Sequence, residues 1–381
     1  VYLVTSPSAV RDVLVTQHRD SDKHTLQYTT LSLVTGQGLL TSDGQVWLRM
    51  RRALQPAFHR DLIALTDTPV HSALRRLELR WGRSLRNGSH VVDIDAELME
   101  LALDITGAAL FGVDLSDDAQ QIAQATLEAL HAVIIRARNP LPPPLSVPTP
   151  ANLSMRRSVR TLDNAVRRII AARERDVLPP NAPMRDMLDL LLDPDLALSP
   201  SQVRDEIATF IVAGHETVAS ALTWAWHLLS HHPEQQEALA ADPGRAQRVF
   251  DEVLRLYPPA WVVTRHTTAE IAVQGTAIPA DSLVIMSPWL VHRHPDAWQR
   301  PEEFDPDRFA EGVPQSGYMP FGVGPRLCIG RDMARLEGAL VLAELASRWS
   351  VAPLHKHEVR MEASVTLRPD GGLPLRVTPR R

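Results

Sequence analysis

Apolar residues recur at helical spacing over most of the 381-residue chain. The runs 93–111, 119–138, 155–175, 201–230, 233–241 and 244–257 carry them three or four apart, which predicts helices with one buried face or more. Strand-like runs are few and short. The best are 3–5, 271–273, 283–286, 366–368 and 375–378, with β-branched residues and turn formers near their ends. The pattern predicts a mainly α body with a minor β part drawn from both ends of the chain. No internal repeat and no independent second domain is visible, so 1–381 reads as one domain. The first residues, Val1-Tyr2-Leu3-Val4-Thr5, read as a strand already under way, so an upstream segment is expected and room is left for an anchor there.

Composition narrows the class. Net charge is −5, from 40 basic and 45 acidic residues, which gives no basic surface for nucleic acid. No apolar run approaches the roughly 18–20 residues that span a bilayer. One cysteine fits a reducing cytosol, and a cytoplasmic monomer is the expectation. The only lysines are Lys23 and Lys356; the arginine bias is that of a GC-rich genome. Residues 139–150 hold six prolines in twelve positions and read as a stiff loop between helices.

The chain has one cysteine, Cys328, so an intramolecular disulfide and a multi-cysteine zinc site are both excluded. It lies in Phe321-Gly322-Val323-Gly324-Pro325-Arg326-Leu327-Cys328-Ile329-Gly330. Gly322, Gly324 and Gly330 permit positive φ and close backbone approach. Arg326 sets a cation two residues before the sulfur, and the run 329–347 predicts a helix whose N-terminus would favour a thiolate. The alternatives are a nucleophile, a single strong metal ligand, or a structural thiol in a turn; the glycines favour the ligand.

Two further constellations carry chemistry. Ala213-Gly214-His215-Glu216-Thr217 falls inside the long predicted helix 201–230. A mid-helix glycine costs about 1 kcal/mol relative to alanine, so Gly214 needs a packing reason. Positions 213 and 217 share a face, where small residues open a groove and a hydroxyl can donate into it. Glu252 and Arg255 stand three apart on the predicted helix 244–257, where the plain reading is a surface pair. His227 and His231 are four apart, but no glutamate lies between them and no third ligand is in view, so zinc is not expected. His292 and His294 read as structural.

These motifs together resemble the cytochrome P-450 family, and the resemblance runs over nearly the whole chain. Phe321-x-x-Gly324-x-Arg326-x-Cys328-x-Gly330 is similar to its heme-binding loop, and Ala213-Gly214-x-Glu216-Thr217 to its oxygen-binding helix motif. Glu252-x-x-Arg255, with Arg308 as third partner, is similar to its helix signature. The resemblance implies a triangular, mainly helical prism enclosing heme b (iron protoporphyrin IX). It implies Cys328 as proximal iron ligand, with Phe321, Gly322, Arg326 and Gly330 in the cofactor loop. Ala213 and Gly214 would line the distal face, Thr217 would hydrogen-bond dioxygen, and Glu216 would connect to a proton supply. Trp47, Arg51, Arg265 and Arg326 would hold the propionates. Many bacterial members carry His where Trp47 stands, so this chain leans toward the eukaryote-like pattern.

The implied function is a heme-thiolate monooxygenase of bacterial type. It would insert one oxygen atom from O2 into a lipophilic terpenoid, polyketide or fatty-acyl substrate. Residues 26–40, Thr209, Ala213, 260–263 and Val365-Thr366 would border that substrate. No flavin or iron–sulfur motif is present, so electrons would come from a separate ferredoxin or flavodoxin with its reductase. Arg49, Arg52, Arg331 and Arg335 would form the basic docking patch. Two readings stand beside this one: a heme-thiolate enzyme of other outcome (epoxidation, desaturation, coupling or rearrangement), and a non-catalytic heme-binding or gas-sensing protein.

Overall fold

A computed structural model describes residues 1–86, 88–139, 141–175, 186–314, 316–354 and 358–380. Helices of eight or more residues are numbered in chain order. They are α1 Leu26–Thr35, α2 Gly44–Leu54, α3 Asp67–Ser84, α4 Ile94–Phe111 and α5 Ala119–Arg138. Then follow α6 Pro150–Glu174, α7 Pro200–His231, α8 Pro233–Ala241, α9 Ala246–Leu256 and α10 Arg331–Arg348. Backbone contacts group the chain into two compact units. One comprises Val1–Asp22, Val70–Leu101 and Thr217–Arg381; the other comprises Lys23–Pro69 and Ala102–Glu216.

The first unit holds every strand found among the described residues. Its largest sheet has the order β1 (Tyr2–Val4), β7 (Leu283–Met286), β4 (Val263–Thr267), β2 (Ser21–Asp22). β1 runs parallel to β7, Leu3 opposite Ile285, and β4 runs antiparallel to it, Arg265 opposite Val284. A hairpin joins β5 (Ile271–Val273) to β6 (Thr276–Ile278) through Gln274-Gly275, both at positive φ, as a tight hairpin turn requires. A second sheet sets β11 (Pro374–Pro379) between β3 (His90–Asp93) and β8 (Trp349–Pro353). A last hairpin pairs β9 (Met361–Ala363) with β10 (Leu367–Pro369).

One apolar cluster of this unit matters for the site. Val10, Val13 and Leu14 from the N-terminal region meet Ile271, Val284, Met286 and Met319, all buried, and Val323 packs on them. The start of β10 is gripped by α7: the Ser220 hydroxyl and the Trp224 indole both donate to the Leu367 carbonyl, at 2.7 and 2.8 Å.

The second unit is helical. α5 packs along α6 and against α1, burying Ile122, Ala129 and Val133 of α5 and Met155, Leu162 and Ile169 of α6. α6 begins five residues earlier than the periodicity predicts. Thr149 caps it, accepting from Asn152 N–H at 3.2 Å, and Pro150 takes the first turn, where its missing N–H costs nothing. The proline-rich connection is tied down by side chains from both helices. Arg136 donates to Pro143 O at 2.8 Å, and the Asn152 amide donates to Pro144 O and Val147 O at 2.9 Å each. Pro140 of that connection lies outside the described residues.

Candidate functional site

The cysteine loop is a closed turn built on two hydrogen bonds. Cys328 N–H donates to Phe321 O at 2.9 Å, and Leu327 N–H donates to Gly324 O at 3.0 Å. Gly322 and Gly324 take φ of +71° and +76°. At Gly324 the need is steric as well, because a Cβ there would lie 2.2 Å from the Leu14 carbonyl oxygen. Gly330 departs from expectation: its φ is −87°, and it is simply the residue before α10. The loop ends at that helix start, so Cys328 stands three residues ahead of Arg331, with its side chain exposed. Phe321, Gly322 and Arg326 share this turn and are partly exposed.

On α7, residues 206–226 are buried with three exceptions: Ala213, Gly214 and Thr217. These three mark one face, 213 and 217 a turn apart. The packing reason for Gly214 is Thr106 of α4, whose Cγ2 would lie 3.2 Å from a Cβ at that position. Glu216 is 2 % exposed, and His215 is fully buried, its Nδ1–H donating to the Ile211 carbonyl one turn back. His215 is thus the packing residue its position suggests.

Trp47 and Arg51 stand one turn apart on α2, which starts at the Asp43 cap. Arg265 is 7 % exposed on β4 and donates to Thr264 O at 2.8 Å.

A family model described as Cytochrome P450 matches residues 1–374. The chain belongs to the cytochrome P450 family. It is 32 % identical to cyclooctatin synthase of Streptomyces melanosporofaciens, over 100 % of this chain and 86 % of that protein. It is also 32 % identical to pentalenene oxygenase of Streptomyces avermitilis, over 100 % and 88 %. Among solved structures, a six-coordinated cytochrome P450 from Thermus thermophilus superposes with a TM-score of 0.81 at 34 % identity, covering 100 % of this chain and 92 % of that one. This cytochrome P450 is therefore an oxidoreductase of the monooxygenase family, with a heme-iron cofactor, O2, an organic substrate and an electron donor as its general requirements.

The residues present fit a heme-iron group. The chain's single thiol, Cys328, is exposed on a loop shaped by glycine backbone. On α7 the family's oxygen motif coincides with the partly exposed face.

What seats the cysteine loop of this P450 is a buried polar frame on α9. The Arg255 guanidinium meets both Glu252 oxygens and donates to the carbonyls of His292, Pro301 and Glu303 at 2.7–3.1 Å. Arg308 approaches Glu252 Oε1 at 3.4 Å, so the expected three-residue network forms. His292 extends it: Nδ1–H donates to Arg255 O at 3.0 Å, and Nε2 accepts from Met319 N–H at 2.8 Å, two residues before Phe321. Complete burial pushes its imidazole down to about 3, so it is neutral, as this donor–acceptor pair requires. His227 and His231 pack ring on ring at 4.6 Å.

The four arginines expected to form a basic docking patch differ in their surroundings. Arg335 is committed to Asp251, Nε to Oδ1 at 2.9 Å and Nη2 to Oδ2 at 2.6 Å, clamping α10 to α9. Arg331 remains exposed, beside Asp332. Arg49 is exposed and donates to Leu196 O at 2.5 Å, and Arg52 is exposed.

Motif reading passed over Asp205 and Glu206 on α7 and Lys23 before α1. Their one sequence signal is the pair Gly36 and Gly38, on the turn that these side chains hold.

Proposed function

We propose that this cytochrome P450 inserts one oxygen atom from O2 into a lipophilic small molecule of terpenoid, polyketide or fatty-acyl type, hydroxylation foremost. The name pentalenene oxygenase, borne by one relative, supports the terpenoid member of that set. Heme b is the proposed cofactor, and a ferredoxin or flavodoxin with its reductase the proposed donor. The observation that carries the reading is the cysteine loop, where an exposed thiol stands three residues before a helix in a glycine-shaped turn.

When bound, the heme supplies the reductive activation of dioxygen. The chain's residues supply the rest. Cys328 would hold the group as thiolate, favoured by Arg326 and by the N–H groups at the start of α10. Trp47, Arg51, Arg265 and Arg326 are the residues that would hold its propionates, through N–H donors suited to carboxylates. Thr217 would present a hydroxyl proton on the partly exposed face of α7, and Glu216 is the group that would replenish it. Ala213 and Gly214 keep that face low. Apolar side chains of 26–40 and 260–263 exclude water and hold the substrate by burial.

The test is the visible spectrum of the reduced protein with and without carbon monoxide. The strongly red-shifted Soret band of a thiolate complex is expected, and Cys328→Ser should abolish it while leaving the fold intact. A histidine-like band, or no heme band after reconstitution, would overturn the reading.

A further inference from the structure

Helix α7 carries two adjacent acids, Asp205 and Glu206, two turns before the Ala213–Thr217 motif. The turn Gly36-Gln37-Gly38-Leu39-Leu40, between α1 and α2, lies directly on them. Asp205 Oδ2 accepts from Gln37 N–H at 2.8 Å, and Glu206 Oε2 accepts from Leu39 N–H at 3.0 Å. Two more bonds close the turn: the Lys23 ammonium donates to Leu40 O, and the Thr41 hydroxyl to Gly36 O, both at 2.7 Å. The fit is tight enough to dictate sequence. A Cβ on Gly36 would fall 2.1 Å from the Asp205 carboxylate, and one on Gly38 2.2 Å from the Thr209 hydroxyl.

Glu206 is 2 % exposed, and no salt bridge reaches it among the described residues. Burial pushes its carboxyl up to about 7; the Leu39 N–H pulls it down and Asp205 pushes it up by smaller amounts. The charged groups around the turn have other partners. Arg204 is held by Asp163, Asp205 and the Val34 carbonyl. Lys23 lies over the Tyr28 ring at 4.6 Å, and its backbone N–H donates to Asp43 at 2.6 Å. The Thr209 hydroxyl, buried beside Gly38, makes no hydrogen bond among the described residues.

We propose that Glu206 is a positioning residue: it latches the Gly36–Leu40 turn to α7 through the Leu39 N–H, and ionisation of its carboxyl loosens that latch. A neutral carboxyl still accepts the Leu39 N–H through its carbonyl oxygen. Opening the turn admits water and returns the carboxyl to its ordinary range near 4.5. Opening therefore releases a proton between about pH 5 and 7, and the open population grows by up to roughly tenfold per pH unit there, levelling above 7. Leu40 and its neighbours border the substrate under the proposed function, so the latch also sets substrate affinity; that part rests on that reading.

The test is amide hydrogen exchange at Leu39 in the full-length protein from pH 5.5 to 8, expressed as protection factors. Wild type should lose up to about 30-fold protection between pH 5.5 and 7. Glu206→Gln, which keeps an acceptor and cannot ionise, should be flat, and Asp205→Asn should keep the slope. A flat wild type, or an equal slope in Glu206→Gln, would overturn the latch; the wild-type series decides even if a variant misfolds. Dodecanol binding, followed by the Soret shift, should weaken over the same window in wild type and Asp205→Asn but not in Glu206→Gln. Dodecanol binding that does not vary with pH would refute the role in substrate affinity. A Leu39 slope in a protein that takes up no heme would leave the latch standing and sink the proposed function instead.

Discussion

Glu252 and Arg255 face each other one turn apart on α9 in a two-pronged ion pair, Nε to Oε2 at 2.7 Å and Nη2 to Oε1 at 2.9 Å, neither side chain exposed. A pair of this kind is poor evidence for stability in itself, since desolvating both charges offsets most of their attraction. Removing one partner is different. Arg255→Leu leaves the buried Glu252 carboxyl with only Arg308 and the Asp305 N–H, frees three carbonyls and should cost about 3–5 kcal/mol. Chemical denaturation measures it; a loss below about 1 kcal/mol would show that the frame is not holding the segment from His292 to Glu303.

His292 supplies a pH-dependent test. Its folded value lies near 3 and its ordinary value near 6.5, so below pH 6.5 the unfolded chain takes up a proton that the folded chain refuses. Stability should fall with acidification from about pH 6.5 toward 3, by at most about 1.4 kcal/mol per pH unit from this group. His292→Gln offers a donor and an acceptor without titrating. It should be less stable at neutral pH and show a shallower acid slope. Identical slopes in the two proteins would remove His292 as the cause.

Gly338 on α10 is dictated by α9. A Cβ there would sit 2.3 Å from the Phe250 ring, which is 1 % exposed and has nowhere to move. Gly338→Val should therefore destabilise by about 1–3 kcal/mol through overpacking. Gly338→Val with Phe250→Leu should recover much of that. Additive losses in the double variant would rule out a local clash.

The long helices were legible because a 3.6-residue apolar period sustained over many turns has no competing reading; α4, α5, α7 and α8 lie within two residues of expectation. β5 and β7 matched residue for residue, being short apolar runs bracketed by turn formers. β3 and β8 escaped for different reasons. β8 follows α10 with no intervening turn residue, Arg348 ending one and Trp349 starting the other. β3 is four residues with a charged end and gains its identity from pairing with β11. In the site, the motif residues were readable because their spacing is local. The grip of Asp205 and Glu206 on residues 37 and 39 was not, because nothing in either segment announces a partner so distant in sequence.

Thr217→Ala tests the proposed proton delivery. Heme content and the carbon monoxide spectrum should be unchanged, while product per reductant consumed falls on the order of 10²-fold and hydrogen peroxide accumulates. Product yield equal to wild type would show that the Thr217 hydroxyl carries no proton that matters.

The contact of Gly324 with the Leu14 carbonyl has a consequence for how this protein is made. The floor of the cysteine loop is translated long before the loop itself. A chain leaving the ribosome thus carries an unfinished seat through most of its synthesis, and the long stretch of chain between Leu14 and Gly324 must close late. Under the proposed role of Cys328, heme capture is accordingly a late event in biogenesis: a chain released before that residue can fold helices, but it lacks the thiolate proposed to hold iron.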